Sequence, residues 1–471
     1  MHTLLPNPLK RALGLGLMLA GCLTASARAE GTATDAGQEI TLAAPFGDHA
    51  VLQQKTPLPV WGTTLPGAKV TLAFDTQVKT TMADAEGRWR MVLDPMTAVT
   101  LASVNEVPKG KKMTVTCEKE GRKIVREIND LVLGDVWLCA GQSNMAGKMR
   151  HAPAEKADYP ALRQLVAPET GPWLVCTPET VPEFKRVCFF FARRLQSGIL
   201  VPVGIINAAA GGSSIESWLN QKPFETGGNY TKHIEPLVGF GLRGVIWYQG
   251  ESNEKDKREY LPKLTSLITG WRRVWNQGDF PVYFVQLPGI GTSSPDNPAG
   301  GDGRAEIRQA CVDALAIPNT GLAVTIDVGA LKEHPPNKLD TGIRLAHAAL
   351  HHTYGLKAVS VSPLYKSHKI EDRTVRISFH NAPQGLMVAV KEGVLPPKPV
   401  PDAKPQWLSL QDKDGSWHWA EGRIEGSDLL VSCEEVKEPV AVRYAYTQHP
   451  CGNLLYNKEG MPVSPFTTNG Y

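Results

Sequence analysis

The sequence predicts an α/β protein, a doubly wound parallel sheet flanked by N-terminal and C-terminal β-rich regions. Three observations carry this prediction. Between about residues 130 and 356, short and nearly continuous apolar runs alternate with stretches of helical periodicity, the pattern of parallel strands covered on both faces. From about 38 to 128, brief β-rich runs are separated by Gly, Pro and Asp turn signals at the spacing of a sandwich. From about 358 to 471 the chain returns to short alternating runs.

The elements follow in order. In the N-terminal region Val51-Leu52, Pro59-Val60-Trp61-Gly62, Lys69-Val70-Thr71-Leu72 and Met113-Thr114-Val115-Thr116 read as strands of a β-sandwich spanning 38–128. In the central region, 130–356, the strands are Val136-Trp137-Leu138, Val203 to Ile206, Val245 to Tyr248, Val282 to Val285 and Leu322 to Ile326. Between them Phe184, Val187, Phe191 and Leu195 share one helical face, and Tyr260, Leu264, Leu267, Trp271 and Val274 share another. The segment Gly289 to Gly303 reads either as a loop bordering a ligand or as a surface insertion. In the C-terminal region, 358–471, Thr374 to Phe379 and Val440 to Tyr446 are strands.

Ahead of these regions lies an expected export signal. Lys10 and Arg11 precede the apolar run ALGLGLMLAGCLTA, and Ala27-Arg28-Ala29 supplies a cleavage pattern, so residues 1–29 are expected to be removed. The run falls short of the ~18 to 20 apolar residues of a membrane span. The alternative is a lipoprotein signal ending before Cys22, because Leu19-Ala20-Gly21-Cys22 resembles a lipobox and would place a lipid anchor on that cysteine. Either reading implies a periplasmic or extracellular protein. Without Lys10, Arg11 and Arg28, 47 basic residues match 47 acidic ones, a balance that argues against nucleic acid as a partner. Eight cysteines in 471 residues are too sparse for a disulfide framework, although Cys176 and Cys188 are close enough in sequence to bridge. Neither C-x-x-C nor H-E-x-x-H occurs, so a dedicated metal site is not expected.

Chemistry concentrates just beyond the predicted strands. Gly141-Gln142-Ser143-Asn144-Met145 follows the first central strand, where a serine at a tight turn exposes its Oγ and sets its own N–H near a developing oxyanion. Gly211-Gly212-Ser213-Ser214 follows the second, and paired glycines let a backbone N–H approach a ligand. Gly250-Glu251-Ser252-Asn253 follows the third, with a side-chain amide as a further donor. Each motif alone also reads as a turn or helix cap. Their order at successive strand ends joins them into one site. The base is sought among twelve histidines. His347, His351 and His352 fall on a helix and read as packed or surface residues. His334 lies in a short loop stiffened by Pro335 and Pro336, ahead of Asp340-Thr341, which can cap the next helix. Imidazole titrates near neutrality, which suits a base that takes a serine proton and returns it.

GDVWLCAGQSNM, GGSSIESW, WYQGESN and HPPNK with Gly342-x-Arg344-Leu345-Ala346 resemble the sialate O-acetylesterase family, and so an SGNH-hydrolase-like fold. VLQQKTPLPVWG and DAEGRWRMVL resemble that family's N-terminal β domain, and VAVRYAY with NKEGMPVSPF its closing region. The resemblance implies a serine esterase that removes O-acetyl groups from sugars, above all sialic acid, without a cofactor. It implies Ser143 as nucleophile, His334 as base, and an oxyanion hole from the N–H of Ser143, an N–H of Gly211 or Gly212, and Asn253. Two departures stand out. Position 331 is Leu where many relatives carry the Asp of D-x-x-H, leaving Glu333, Asp327 or a backbone carbonyl to orient His334, with Glu333 preferred. Arg308 fits an R-E-A-Q pattern whose Glu and Gln are replaced by Gln309 and Cys311. The competing functions are an acetylxylan or other polysaccharide deacetylase and, from a different class, a non-catalytic glycan-binding protein.

Overall fold

The computed structural model describes residues 40–151, 157–168 and 171–469. The expected export signal and Cys22 lie outside the described residues. The central sheet is built from β1 (Arg122–Gly141), β2 (Tyr159–Val166), β3 (Leu174–Cys176), β4 (Val203–Asn207), β5 (Gly244–Tyr248), β6 (Val282–Gln286) and β7 (Thr320–Val324), in the spatial order β3-β2-β4-β1-β5-β6-β7. All neighbours are parallel except β3, which runs antiparallel to β2. After β1 the chain moves to one side, through β2 and β4, and then crosses to β5 on the other. The topological switch therefore lies at β1, and the crevice beyond its carboxyl end is where such sheets bind ligands. Every residue of β4, β5 and β6 is buried, as their continuous apolar character predicts.

β1 is 20 residues long and passes through the boundary expected between the N-terminal and central regions. Its first half pairs antiparallel with Lys111–Lys119, while its second half lies between β4 and β5. The sequence divides there because the environment does. Residues 122–131 are mostly exposed, and from Val132 to Gly141 the strand is almost wholly buried. The expected sandwich strands are present, as Val51–Gln53, Leu58–Thr63, Lys69–Phe74 and Lys111–Lys119, joined by Gln77–Met82 and Arg88–Leu93. Beyond residue 358 the chain forms two four-stranded sheets and one three-stranded sheet. Buried apolar side chains from all three regions form one core cluster, from Phe46 through Trp137 to Phe466.

The helices α1 (Arg186–Ile199), α2 (Tyr260–Trp275), α3 (Ala305–Asp313) and α4 (Lys338–Ala348) sit between or after these strands. α1 buries Val187, Phe191 and Leu195, each side chain contributing ~1.5 to 3 kcal/mol of hydrophobic stabilisation. α1 and α4 approach closely at Gly342, where a Cβ would come within 2.7 Å of the Phe190 Cβ. The absence of a side chain at 342 thus lets α4 pack directly against α1. Asn337 caps α4, its side chain accepting the Asp340 N–H at 3.0 Å. The expected cap at Asp340-Thr341 instead falls inside the first turn. β2 was not predicted from the sequence. It contains Pro160 and the polar pair Arg163-Gln164, both of which are buried, with Arg163 donating to the His49 and Asp130 carbonyls. None of the seven cysteines among the described residues forms a disulfide, so Cys176 and Cys188 are not bridged.

Candidate active site

Three successive strand ends meet at one point. At the end of β1, Gly141 adopts φ 137°, and a Cβ there would lie 2.1 Å from the Tyr248 carbonyl oxygen, so only glycine lets the chain turn against β5. The Gln142 N–H donates to that carbonyl at 3.0 Å, and a four-residue helix starts at Ser143. The loop after β4 lies along β1, with the Ala210 N–H donating to the Gly141 carbonyl at 3.0 Å. This sets Gly211 beside the serine, a Cβ at 211 falling 3.9 Å from the Ser143 Cβ. Gly211 and Gly212 are exposed, and among the described residues the N–H groups of Ser143, Gly211 and Gly212 donate to no protein acceptor. They remain free for a ligand oxygen.

His334 reaches this point from the loop between β7 and α4. Its Nε2 lies 2.8 Å from the Ser143 Oγ, a hydrogen bond across 191 residues of sequence. Serine and histidine are thus within direct proton-transfer distance.

The other expected residues are placed differently. Glu333 does not orient the ring: its carboxylate is turned to the Arg304 guanidinium, and its main-chain carbonyl accepts the Asn144 side-chain amide at 3.2 Å. The Asp327 side chain is wholly buried, paired in bidentate fashion with Arg344 at 2.5 and 2.7 Å and accepting the Tyr456 hydroxyl at 3.1 Å. Among the described residues no carboxylate hydrogen-bonds His334. The physical reason is local. Arg304 is 1% exposed, and a buried guanidinium requires carboxylate partners, which Glu333 and Glu254 supply.

Asn253 is also committed elsewhere. Its Oδ1 accepts the Ile215 N–H at 2.8 Å and the Gln249 amide at 2.6 Å, while its Nδ2 donates to Glu216 at 3.0 Å and Asp256 at 2.6 Å. Burial pushes the Glu216 carboxyl up, but hydrogen bonds from Lys263 and Asn253 outweigh it and hold the group at about 2. The Asn253 amide therefore faces an anion with both of its hydrogens engaged, and it braces the loop after β4 in place of contributing an oxyanion donor. Asn253→Ala should then cost ~1 to 3 kcal/mol of stability by leaving buried partners unmatched. Urea unfolding measures this, and an unchanged midpoint would remove the bracing role. Arg308, fully buried, donates to the carbonyls of Leu287, Pro288, Thr447 and Gln448. It joins the β6 end to the C-terminal region and does not face a substrate. The Gly289–Gly303 loop is pinned to the same region, with Gly301 N–H donating to the Tyr446 carbonyl at 2.8 Å and Ser293 Oγ to that of His449 at 2.9 Å.

What sequence reasoning missed is the polar floor of the site. Asn144, Glu251 and Lys338 are 2%, 9% and 3% exposed, and Asn144 hydrogen-bonds both of the others. All three stood in the quoted motifs, and the signal lay in polar residues close in sequence to the candidate nucleophile, the candidate base and the third strand end.

Fold and site together place the chain among the esterases built on a parallel α/β sheet. Comparison with known proteins narrows the class. The family model described as carbohydrate esterase, sialic acid-specific acetylesterase matches residues 133–351. A carbohydrate acetylesterase from Xanthomonas citri superposes with a TM-score of 0.80 at 31% identity, covering 92% of this chain and 100% of that one. Sialate O-acetylesterases of Pongo abelii and Homo sapiens are 27% and 26% identical, each over 90% of this chain and 91% of the relative. The chain belongs to the carbohydrate acetylesterases, and its central region matches the sialic acid-specific family model.

Proposed function

We propose that this esterase removes acetyl groups from O-acetylated sugars, with sialic acid the leading substrate, through Ser143 and His334. The observation that carries the reading is the 2.8 Å hydrogen bond between the His334 Nε2 and the Ser143 Oγ beside the unbonded N–H groups of Gly211 and Gly212. Ser143 attacks the acetyl carbonyl as its proton passes to His334. The oxyanion then lies against the N–H groups of Ser143 and of Gly211 or Gly212, each donor worth ~100- to 1000-fold in rate. His334 returns the proton to the departing sugar oxygen, leaving acetyl-Ser143. Water attacks that ester with His334 again as base, and acetate is released as the serine regains its proton.

Acetate release from O-acetylated sialic acid and from acetylated xylan, assayed side by side, tests the substrate. Preference for the sialic acid supports the reading, preference for xylan makes the protein a polysaccharide deacetylase, and binding without turnover of either makes it a glycan-binding protein. We further propose export. No helix among the described residues is long and apolar enough to cross a membrane. The mass of the protein recovered from its native host should correspond to a chain beginning at Glu30, whereas a lipid-modified Cys22 terminus establishes the lipoprotein alternative and an intact Met1 terminus excludes both.

A further inference from the structure

The esterase reading leaves a question that the geometry answers: what holds His334 against Ser143 when no carboxylate touches the ring. The His334 loop is short, exposed at its tip and followed directly by α4. It is fastened on both sides of the histidine, and both fastenings end on the same side chain. The Asn144 Nδ2 donates to the carbonyl of Glu333, one residue before His334, at 3.2 Å. The Asn144 Oδ1 accepts from the Lys338 Nζ, four residues after His334, at 2.5 Å. The second hydrogen of the Asn144 Nδ2 goes to the Glu251 Oε1 at 2.5 Å, which anchors the amide to the loop after β5. Asn144 itself is the residue next to Ser143.

We propose that Asn144 is the positioning residue of this active site, a clamp that ties both ends of the His334 loop to the turn carrying Ser143 and so sets the distance between nucleophile and base. The amide is the group the position requires. Toward Glu251 and the Glu333 carbonyl it must donate, and toward the Lys338 ammonium it must accept, so its two ends are not interchangeable. An Asp at 144 would have the same shape but oppose a carboxylate and a carbonyl with a further acceptor. The buried surroundings make these bonds costly to lose. Burial pulls the Lys338 ammonium down to about 7 and pushes the Glu251 carboxyl up, and the second Glu251 oxygen, Oε2, is buried with no hydrogen-bond partner among the described residues. Asn144 is thus a main source of polar satisfaction for both groups.

This inference rests on Ser143 and His334 as the reacting pair, and its test separates the two. The probe is hydrolysis of a chromogenic acetyl ester, with active serines counted by a serine-directed phosphonate so that rates are per competent site. Asn144→Ala and Asn144→Asp are both expected to lower kcat about 100-fold, the scale of a misplaced catalytic group, while KM stays within about twofold. A residue needed only for shape would be rescued by the isosteric Asp, so kcat retained in Asn144→Asp overturns the clamp, as does kcat retained in Asn144→Ala. Should either variant fold poorly, Lys338→Met removes one fastening and leaves the other, together with the anchor to Glu251. About a tenfold fall in kcat at unchanged KM supports the clamp, and an unchanged kcat overturns it. A His334→Ala enzyme that still turns over would defeat the reading of the reacting pair itself. An inactive His334→Ala beside fully active Asn144 variants defeats only the clamp.

Discussion

Ser143→Ala is expected to lower ester hydrolysis at least about 10⁴-fold while leaving the folded protein intact. The serine is half-buried, and among the described residues its Oγ bonds only His334, so removing the oxygen opens no cavity and strands no buried group. Thermal unfolding should therefore shift by no more than the ~0.5 kcal/mol typical of a benign substitution. Residual turnover above the uncatalysed rate is expected, since the N–H groups of the site and substrate binding persist without the nucleophile. The phosphonate used to count active sites should label the peptide holding Ser143 in the wild type and leave the variant unmodified. Near wild-type turnover in Ser143→Ala, or labelling elsewhere, would remove this residue from the mechanism. A loss of activity matched by a loss of folded protein would show that the serine is needed for the turn and not for the chemistry.

How far the site was legible in the sequence depended on how local its physics is. Ser143 and Gly211 stood out because each follows a continuously apolar strand, and a strand buried on both faces can place polar chemistry only beyond its end. His334 stood out because two prolines confine its loop. The partners of the side chains were not legible. Glu333 is adjacent to His334 in sequence, yet Arg304, 29 positions away, holds its carboxylate, and the need of a buried guanidinium for anions decides the matter. Asn253 has the chemistry of an oxyanion donor, but Glu216 from the loop after β4 and Asp256, three residues further along its own segment, converge on it. The same limit applies to the fold. The apolar runs of β4, β5 and β6 announced themselves, whereas β2 hides Arg163 and Gln164 in its interior, satisfied by groups the sequence does not place nearby. The continuity of β1 across the expected boundary went unread because its pattern changes from exposed to buried within one strand.

His334→Ala is expected to be nearly inactive, at least about 10³-fold down in kcat, because no second base lies within hydrogen-bonding distance of the Ser143 Oγ among the described residues. The acids are where the structure makes an unusual demand. If a carboxylate oriented the ring, its removal would slow the reaction and move the acidic limb of kcat/KM to lower pH, since an adjacent anion favours imidazolium and the neutral ring is the active form. Glu333→Gln should do neither. The carboxylate it replaces is turned toward Arg304, which keeps Glu254 and the Pro288 carbonyl, so kcat should stay within about threefold and the limb should not move. Asp327→Asn should instead lower stability by ~3 to 5 kcal/mol, the cost of breaking a buried ion pair, by leaving Arg344 without its anion. Its rate per phosphonate-titrated serine should remain close to wild type, and its pH limb should stay in place. A slow Glu333→Gln enzyme with its limb displaced to lower pH would mean that the carboxylate swings from Arg304 to His334 during turnover. With both limbs unmoved, no carboxylate orients the ring, and the enzyme works with a serine and a histidine alone.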